Sequence, residues 1–190
     1  MNTDAMRNRR AWDAASDEYQ RDHREQLTAK AEAWGVWSIP ETELQLVGEV
    51  ARRDVLEFGC GGAQWSIALA KPGARCTALD NSQRQLEHAR EAIAQAHVDV
   101  RLVHAAAEDA PFPDGSFDLV FCDRCAEFHG AGSHDSGRRT VVAARRHGFT
   151  IEKLFEPRPT EDAVTTYQSF APYDWARDFP LELMVRARLG

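Results

Sequence analysis

The segment that decides the fold is DVLEFGCGGAQWSIALA, residues 54–70. An apolar run ends at Gly59, and helical spacing resumes after Gly61. A strand, a glycine turn and a helix in this order are typical of the first unit of an open α/β sheet, where the turn presents bare main chain to ligands. Three roles are open for the glycines: they bind a dinucleotide, they bind another nucleoside cofactor, or they form a tight turn without a ligand.

The rest of the chain continues this alternation of strand and helix. The predicted strands are residues 54–59, 74–80, 98–105, 116–123, 149–156 and 182–189, and the predicted helices are residues 4–26, 41–51, 63–70, 82–96 and 138–147. We therefore predict an α/β fold: a doubly wound, Rossmann-like, mostly parallel sheet of about six strands, with helices on both faces and an antiparallel strand near the C-terminus.

Composition limits the classes of partner. The net charge of −7 gives no attraction for a nucleic-acid backbone or an anionic membrane. The charged N-terminus has no apolar core of a signal peptide, and no stretch reaches the roughly 18 apolar residues of a membrane span. Four scattered cysteines are too few for a disulfide scaffold. We expect a cytoplasmic protein with reduced thiols.

The residues around the glycines argue against a dinucleotide. The dinucleotide fingerprint needs a third small residue where this chain has Gln64. Glu57 lies two residues before Gly59, where its carboxylate would repel a pyrophosphate and attract a cation. S-adenosylmethionine carries an ammonium and a sulfonium group and no phosphate, so Glu57 is expected to be its electrostatic partner, directly or through water. A nicotinamide oxidoreductase is the alternative.

Polar residues also follow the next two predicted strands. Asp80 ends the second strand about 20 residues after the glycines, the spacing at which a carboxylate binds a ribose diol. Asn81 is then expected beside the adenine. The N–H of Ala107 and the carboxylate of Glu108 or Asp109 suit the adenine N1 atom and its exocyclic amine.

Three motifs in this order, VLEFGCGGA, ALDNS and AEDAPFPDGSFDLVFC, resemble class I S-adenosylmethionine-dependent methyltransferases, in particular the small-molecule branch similar to quinone-biosynthesis methyltransferases. The resemblance covers about residues 54–123. It implies that the backbone of Gly59, Cys60 and Gly61 lines the methionine part of the cofactor. It further implies that Asp80 binds the ribose and that Ala107 and Glu108 meet the adenine. Gln64 completes the predicted cofactor site.

The N-terminal helix resembles the lid of that branch, with Tyr19 closing over the cofactor. We therefore predict a single domain over residues 1–190. Residues 1–50 form the lid helices, residues 54–123 form the core that binds the cofactor, and residues 124–190 form a shortened C-terminal part.

The chain departs from the family after Asp123. The family continues through a helix, a fifth strand and a substrate-cap segment before a motif such as RRHGFTIEKL, whereas a short polar loop intervenes here. Without these elements, the wall of the substrate-binding site would be lost. We predict methyl transfer from S-adenosylmethionine to an unidentified small molecule, with no nucleic-acid or membrane partner and an open oligomeric state. The alternative is a non-catalytic or degenerate remnant that binds the cofactor and has lost its substrate-binding segment.

No catalytic residue is assigned from the sequence. Asp123, Glu127 and His129 lie just past the fourth strand, where a base could stand. The pattern C-x2-C-x3-H-x4-H from Cys122 to His134 has zinc-ligand residue types, but its Cys and His pairs lack the spacer of about a dozen residues found in zinc fingers. We interpret it as a strand end with a polar loop, and we predict no metal.

Overall fold

The structure of the protein is a computed structural model. It describes residues 3–29, 31–123, 149–161, 163–167, 173–178, 182 and 184–189. Two compact units are formed: one by the described residues up to 32 together with residues 47–123, the other by residues 33–46 together with the described residues after 148. A single domain over residues 1–190 stays a prediction. The predicted helix over residues 138–147 lies outside the described residues.

Between residues 54 and 122 the helices and strands follow the sequence pattern closely. The helices are α1 (Thr3–Ala29), α2 (Glu41–Leu44), α3 (Gln64–Ala70), α4 (Gln83–Ala96) and α5 (Tyr173–Asp178), with a 3-10 turn at Ala107–Asp109. The strands are β1 (Ala33–Trp34), β2 (Ile39–Pro40), β3 (Asp54–Phe58), β4 (Arg75–Asp80), β5 (Val100–His104), β6 (Leu119–Cys122), β7 (Phe149–Phe155) and β8 (Met184–Leu189). None of the described helices is long and apolar enough to cross a membrane.

A parallel sheet of four strands forms the centre of the first unit. Its order is β5-β4-β3-β6, and the register pairs Phe58 with Leu79 on one side and with Cys122 on the other. Val55 and Leu56 of β3 are buried, as expected for a central strand covered on both faces. Helices flank this sheet, which confirms the predicted α/β, Rossmann-like class. The polar ends of β3, β4 and β5 therefore meet at one edge.

The prediction of about six strands in one sheet was wrong for the described residues. Within them the parallel sheet has four strands, because β7 pairs with β8 in a separate two-stranded sheet instead of extending β6. The pairing of β7 with β8 is antiparallel, which confirms the predicted antiparallel strand near the C-terminus.

Polar contacts join the N-terminal helix α1 to α4. The Ser82 hydroxyl caps α4 by accepting from the Gln85 N–H at 3.2 Å, and it donates to Asp13 Oδ1 at 2.7 Å. Arg84 donates to both carboxylate oxygens of Asp17, at 2.7 and 2.9 Å. The buried face of α1 also carries the polar side chains of Ser16 and Gln20, which its amphipathic pattern alone did not show.

The helix predicted over residues 41–51 is the main correction in the second unit. The helix α2 stops after Leu44, because Gln45 adopts a left-handed conformation with φ of 50°. The Glu41 carboxylate then accepts from the Leu46 N–H at 3.1 Å and from the Trp34 indole N–H at 2.6 Å. These bonds hold residues 45 and 46 in a turn where a longer helix was expected.

The second unit is also held together by contacts between residues far apart in sequence. The Glu182 carboxylate accepts from the Val36 N–H at 3.0 and 3.2 Å. The Thr165 hydroxyl donates to the Val36 carbonyl at 2.6 Å. At Gly35, with φ of +66°, an added Cβ would lie 2.2 Å from Glu182 Oε2. A side chain at this position would adopt a strained conformation and would push the Glu182 carboxylate away from the Val36 N–H.

The three cysteines among the described residues divide into two groups. Cys60 and Cys76 are free and buried, as expected for reduced thiols. Cys122 is disulfide-bonded, so the expectation of reduced thiols was wrong at this position.

Candidate functional site

The turn between β3 and α3, residues 59–62, is named the glycine loop here. Gly59 and Gly61 have φ of 62° and 52°, a region that side-chain-bearing residues rarely adopt. The Cys60 N–H donates to the Leu79 carbonyl of β4 at 3.1 Å, and the Cys60 carbonyl accepts from the Ala63 N–H at 2.7 Å. The loop therefore folds tightly against the end of β4.

Asp80 lies at the carboxyl end of β4 and binds this loop. Its Oδ2 atom accepts from the Gly61 N–H at 2.9 Å, and its Oδ1 atom accepts from the Ser82 N–H at 2.7 Å. Burial raises the pKa of the Asp80 carboxyl, while the backbone N–H groups of Ser82, Gly61 and Asn81 act in the opposite direction. Each carboxylate oxygen has two lone pairs, so these bonds leave acceptor capacity for a ribose hydroxyl.

Glu57 is directed toward the first turn of α3. Its side chain is buried, and Oε2 accepts from the Ser66 N–H at 3.0 Å and from the Ser66 hydroxyl at 2.5 Å. A carboxylate at the start of a helix is stabilised by the unpaired N–H groups and the helix dipole. Glu57 thus fixes α3 behind the glycine loop, and its action on a bound cation stays a prediction.

The predicted adenine-side residues lie at the ends of β4 and β5. The Asn81 amide donates to the Ala5 carbonyl of α1 at 2.8 Å, so Asn81 also joins the site to the N-terminal helix. Ala107 is exposed and begins the 3-10 turn after β5. The backbone of Glu108 lies in this turn, and its side chain is outside the described residues.

The predicted lid residue Tyr19 lies in an aromatic group on α1. Its ring contacts Trp12 in a T-shaped arrangement with centroids 5.2 Å apart, and its centroid lies 4.8 Å from that of His23. The next residue, Gln20, is the one that reaches the glycine loop. A role of Tyr19 toward the cofactor stays a prediction.

Three glutamine side chains surround the glycine loop, and sequence reasoning found one of them. The Gln20 amide donates to Gln85 Oε1 at 2.8 Å, and both side chains are buried. A Cβ added at Gly62 would lie 3.1 Å from the Gln20 amide atoms and 2.5 Å from Gln64 Nε2. The signal that could have revealed Gln20 is its spacing of four from Ser16, which places both on the buried stripe of α1.

Asp123 follows β6 at the same edge of the sheet. The Trp65 indole N–H donates to Asp123 Oδ2 at 3.3 Å, and both side chains are buried. Trp65 also contacts Phe121 of β6, with ring centroids 5.6 Å apart. The other two base candidates, Glu127 and His129, lie outside the described residues, as does most of the C-x2-C-x3-H-x4-H pattern. Across the described ranges, no three His, Cys, Asp or Glu side chains form a group suited to a metal ion.

Comparisons with known proteins find similarity in the part of the chain that contains β3 to β6. Residues 55–147 match the family described as "Methyltransferase domain". A demethylmenaquinone methyltransferase of Listeria monocytogenes is 42% identical over 71 residues, which cover 35% of this chain and 30% of the relative. The same-named protein of Staphylococcus aureus is 41% identical over 68 residues, which cover 34% and 28%. The chain thus spans less than a third of the length of these curated relatives.

Solved structures extend the likeness beyond the matched sequence. The crystal structure of an S-adenosylmethionine-dependent methyltransferase from Mesorhizobium loti superposes with a TM-score of 0.56. The sequence identity is 18%, and the superposition covers 77% of this chain and 95% of that one. At this identity the likeness shows a shared fold.

Proposed function

We propose that this chain binds S-adenosylmethionine at the carboxyl ends of β3, β4 and β5 and transfers its methyl group to a small molecule. The proposal starts from the match of residues 55–147 to the methyltransferase domain family. The observation that carries the proposal is the glycine loop held by Asp80, whose carboxylate accepts from the Gly61 N–H at 2.9 Å. This bond places bare main chain beside a buried acid at the ligand-binding edge of the sheet.

The charge of the site supports this cofactor over a dinucleotide. Glu57 and Asp80 bring two buried carboxyl groups to the glycine loop. A pyrophosphate would meet like charge there, whereas the ammonium and sulfonium of S-adenosylmethionine would meet opposite charge. The residues present therefore fit the cofactor, with the loop backbone for its methionine part, Asp80 for its ribose, and residues 81, 107 and 108 for its adenine.

The chain itself contributes to methyl transfer by positioning the acceptor and by accepting its proton. When bound, S-adenosylmethionine supplies an already activated methyl group. Holding an acceptor in line with such a group accounts for about 7–11 kcal/mol of barrier reduction in well-oriented systems. Asp123 is a candidate to receive the proton of a hydroxyl or amine acceptor. Its carboxylate lies at the same edge of the sheet and accepts a hydrogen bond from the Trp65 indole N–H at 3.3 Å. Glu127 and His129 stay alternatives.

Calorimetry with S-adenosylmethionine and S-adenosylhomocysteine tests the cofactor site. The wild type should bind both, and Asp80→Ala should bind at least about tenfold more weakly, because it removes the ribose acceptor and releases the Gly61 N–H. Asp99→Ala is the matched control, since Asp99 is exposed and precedes β5 at the opposite edge of the sheet.

The calorimetry distinguishes failure of the proposed function from failure of the ribose assignment. A wild type that binds neither compound would refute the proposed function. Binding that Asp80→Ala leaves unchanged would remove the ribose assignment alone.

A cofactor-binding remnant without activity is the second candidate. The observation in its favour is the short polar stretch after Asp123, where the family continues through a helix, a fifth strand and a substrate-cap segment. Incubation with methyl-labelled cofactor and a panel of phenols, quinols, amines and carboxylates distinguishes the two. Label in any small acceptor supports the enzyme, and tight binding without transfer to any of them supports the remnant. The cytoplasmic location and the absence of nucleic-acid and membrane partners stay predictions.

A further inference from the structure

A groove between α1, α3 and α4 lies beside the glycine loop, within the first unit. Its volume is about 280 Å³, near the lower end of the usual range for small-molecule sites. Gln20 and Gln64 line it, and these are two of the side chains that lie closest to Gly62. Asp80 and Ala107 are not among its lining residues. The groove therefore has Gln64 in common with the proposed cofactor site but does not include its ribose and adenine residues Asp80 and Ala107.

The lining of the groove combines an apolar base with a charged rim. Ile67 and Ala68 of α3 are buried and contribute apolar surface. Arg24 of α1 and Lys71, directly after α3, are exposed and contribute two positive charges, and Glu91 of α4 contributes one negative charge. The groove is thus locally positive in a chain whose net charge is −7.

The two cations have no internal counter-ion in the part of the chain that the structure describes. No described carboxylate lies within 4.0 Å of the Arg24 or Lys71 side-chain nitrogens, whereas Arg75 and Arg84 form such ion pairs at 2.5 to 2.7 Å. His88, which also lines the groove, has a buried Nδ1 atom without a hydrogen-bond partner among the described residues. Buried polar atoms normally form hydrogen bonds, so the Nδ1 atom of His88 is available to form one with a ligand.

We propose that this groove is a second ligand site, which binds a small carboxylate with an apolar body. The apolar body would lie on Ile67 and Ala68, and the carboxylate would pair with Arg24 and Lys71. A cationic ligand is disfavoured because two of the three rim charges would repel it. The site is independent of methyl transfer and does not rest on the proposed function.

Three probes with one tail and different head groups test the ligand class. Octanoate, octylamine and octanol share an eight-carbon chain, and their binding to the 190-residue protein is followed by calorimetry and by NMR of the protein amides. Octanoate should bind saturably, octanol several-fold more weakly, and octylamine without detectable saturation. Equal binding of all three, or binding of none, would overturn the proposal.

Variants on the rim test the location. Lys71→Gln and Arg24→Gln should each weaken octanoate binding by about threefold to tenfold, because each removes one cation from the rim. Arg90→Gln is the matched control, since Arg90 is exposed on α4 and is not among the lining residues. Unchanged binding in both rim variants, or an equal loss in Arg90→Gln, would refute the site. Octanoate affinity should also be unchanged by saturating S-adenosylhomocysteine, and competition between them would refute a separate site.

Discussion

The contacts that stabilise the first unit internally differ from those within the second unit. In the first unit, α3 and α4 are the crossovers that bring β3, β4 and β5 side by side, and β6 joins the sheet by pairing with β3. In the second unit, hydrogen bonds join Val36 to Glu182 and to Thr165, 146 and 129 positions away. The first unit is therefore built around a parallel strand ladder, whereas in the second unit single side-chain hydrogen bonds tie residues 33–46 to the described residues after 148.

The largest expected effect is in the second unit, at Gly35. Gly35→Ala should lower the free energy of unfolding by roughly 2–4 kcal/mol, because it adds left-handed strain and forces the Glu182 carboxylate off the Val36 N–H. The measurement is urea unfolding followed by circular dichroism.

Gly48→Ala is the matched control for this substitution. Gly48 has φ of +70°, and an added Cβ would meet nothing within 4 Å, so it should show the strain alone, about 1–2 kcal/mol. Equal losses in the two variants would show that the Glu182 contact adds nothing to the stability of the second unit.

An intermediate effect is expected in the first unit, at Ser66. Ser66→Ala removes the hydroxyl that donates to the buried Glu57 carboxylate at 2.5 Å and should lower the free energy of unfolding by about 1–3 kcal/mol. Ser116→Ala is the control, because its hydroxyl bonds the Pro113 carbonyl at an exposed site and should change stability by less than about 0.5 kcal/mol. A loss at Ser66 no greater than at Ser116 would contradict a structural role for Glu57.

The smallest effect concerns pH and the contact of α1 with α4. Hydrogen bonds from Arg84, and then from His88, lower the pKa of the exposed Asp17 carboxyl from 3.8 to about 2. A lowered pKa in the folded state means that the contribution to stability is complete above pH 3.8 and is lost as the pH falls toward 2. Unfolding midpoints measured across this range should fall less in Asp17→Asn than in the wild type.

The control for the pH series is Asp22→Asn. Asp22 also lies on α1, but its ion pair is with the adjacent Arg21 and does not reach α4. The same pH dependence in Asp17→Asn and the wild type would show that the Arg84 contact contributes nothing.

Local pattern accounts for the parts of the structure that could be predicted from sequence. The strand β3 ends where its apolar run meets Gly59, and α4 begins at Ser82, whose side chain accepts from the Gln85 N–H as the capping pattern indicates. The position of Asp80 beside the glycine loop followed from the same spacing rules. Each of these features depends on residues close together in the chain.

The features that escaped prediction depend on distant or unusual contacts. The pattern over residues 41–51 suits a helix, but the left-handed Gln45 and the bonds to Glu41 stop it after Leu44. The pairing of β7 with β8 is set by a partner more than 25 residues away. Gln20 was missed because a polar side chain in a polar helix gives no hydrophobic signal, although it is buried against Gln85.

The hydroxyl of Ser82 serves two elements with one oxygen atom. It is both the cap on which α4 begins and a donor to Asp13 of the N-terminal helix. Removal of this hydroxyl, as in Ser82→Ala, therefore loosens both attachments at once. The hold on α1 can still be adjusted without disturbing the start of α4, at Asp13 or Asp17 of α1 or at Arg84 of α4.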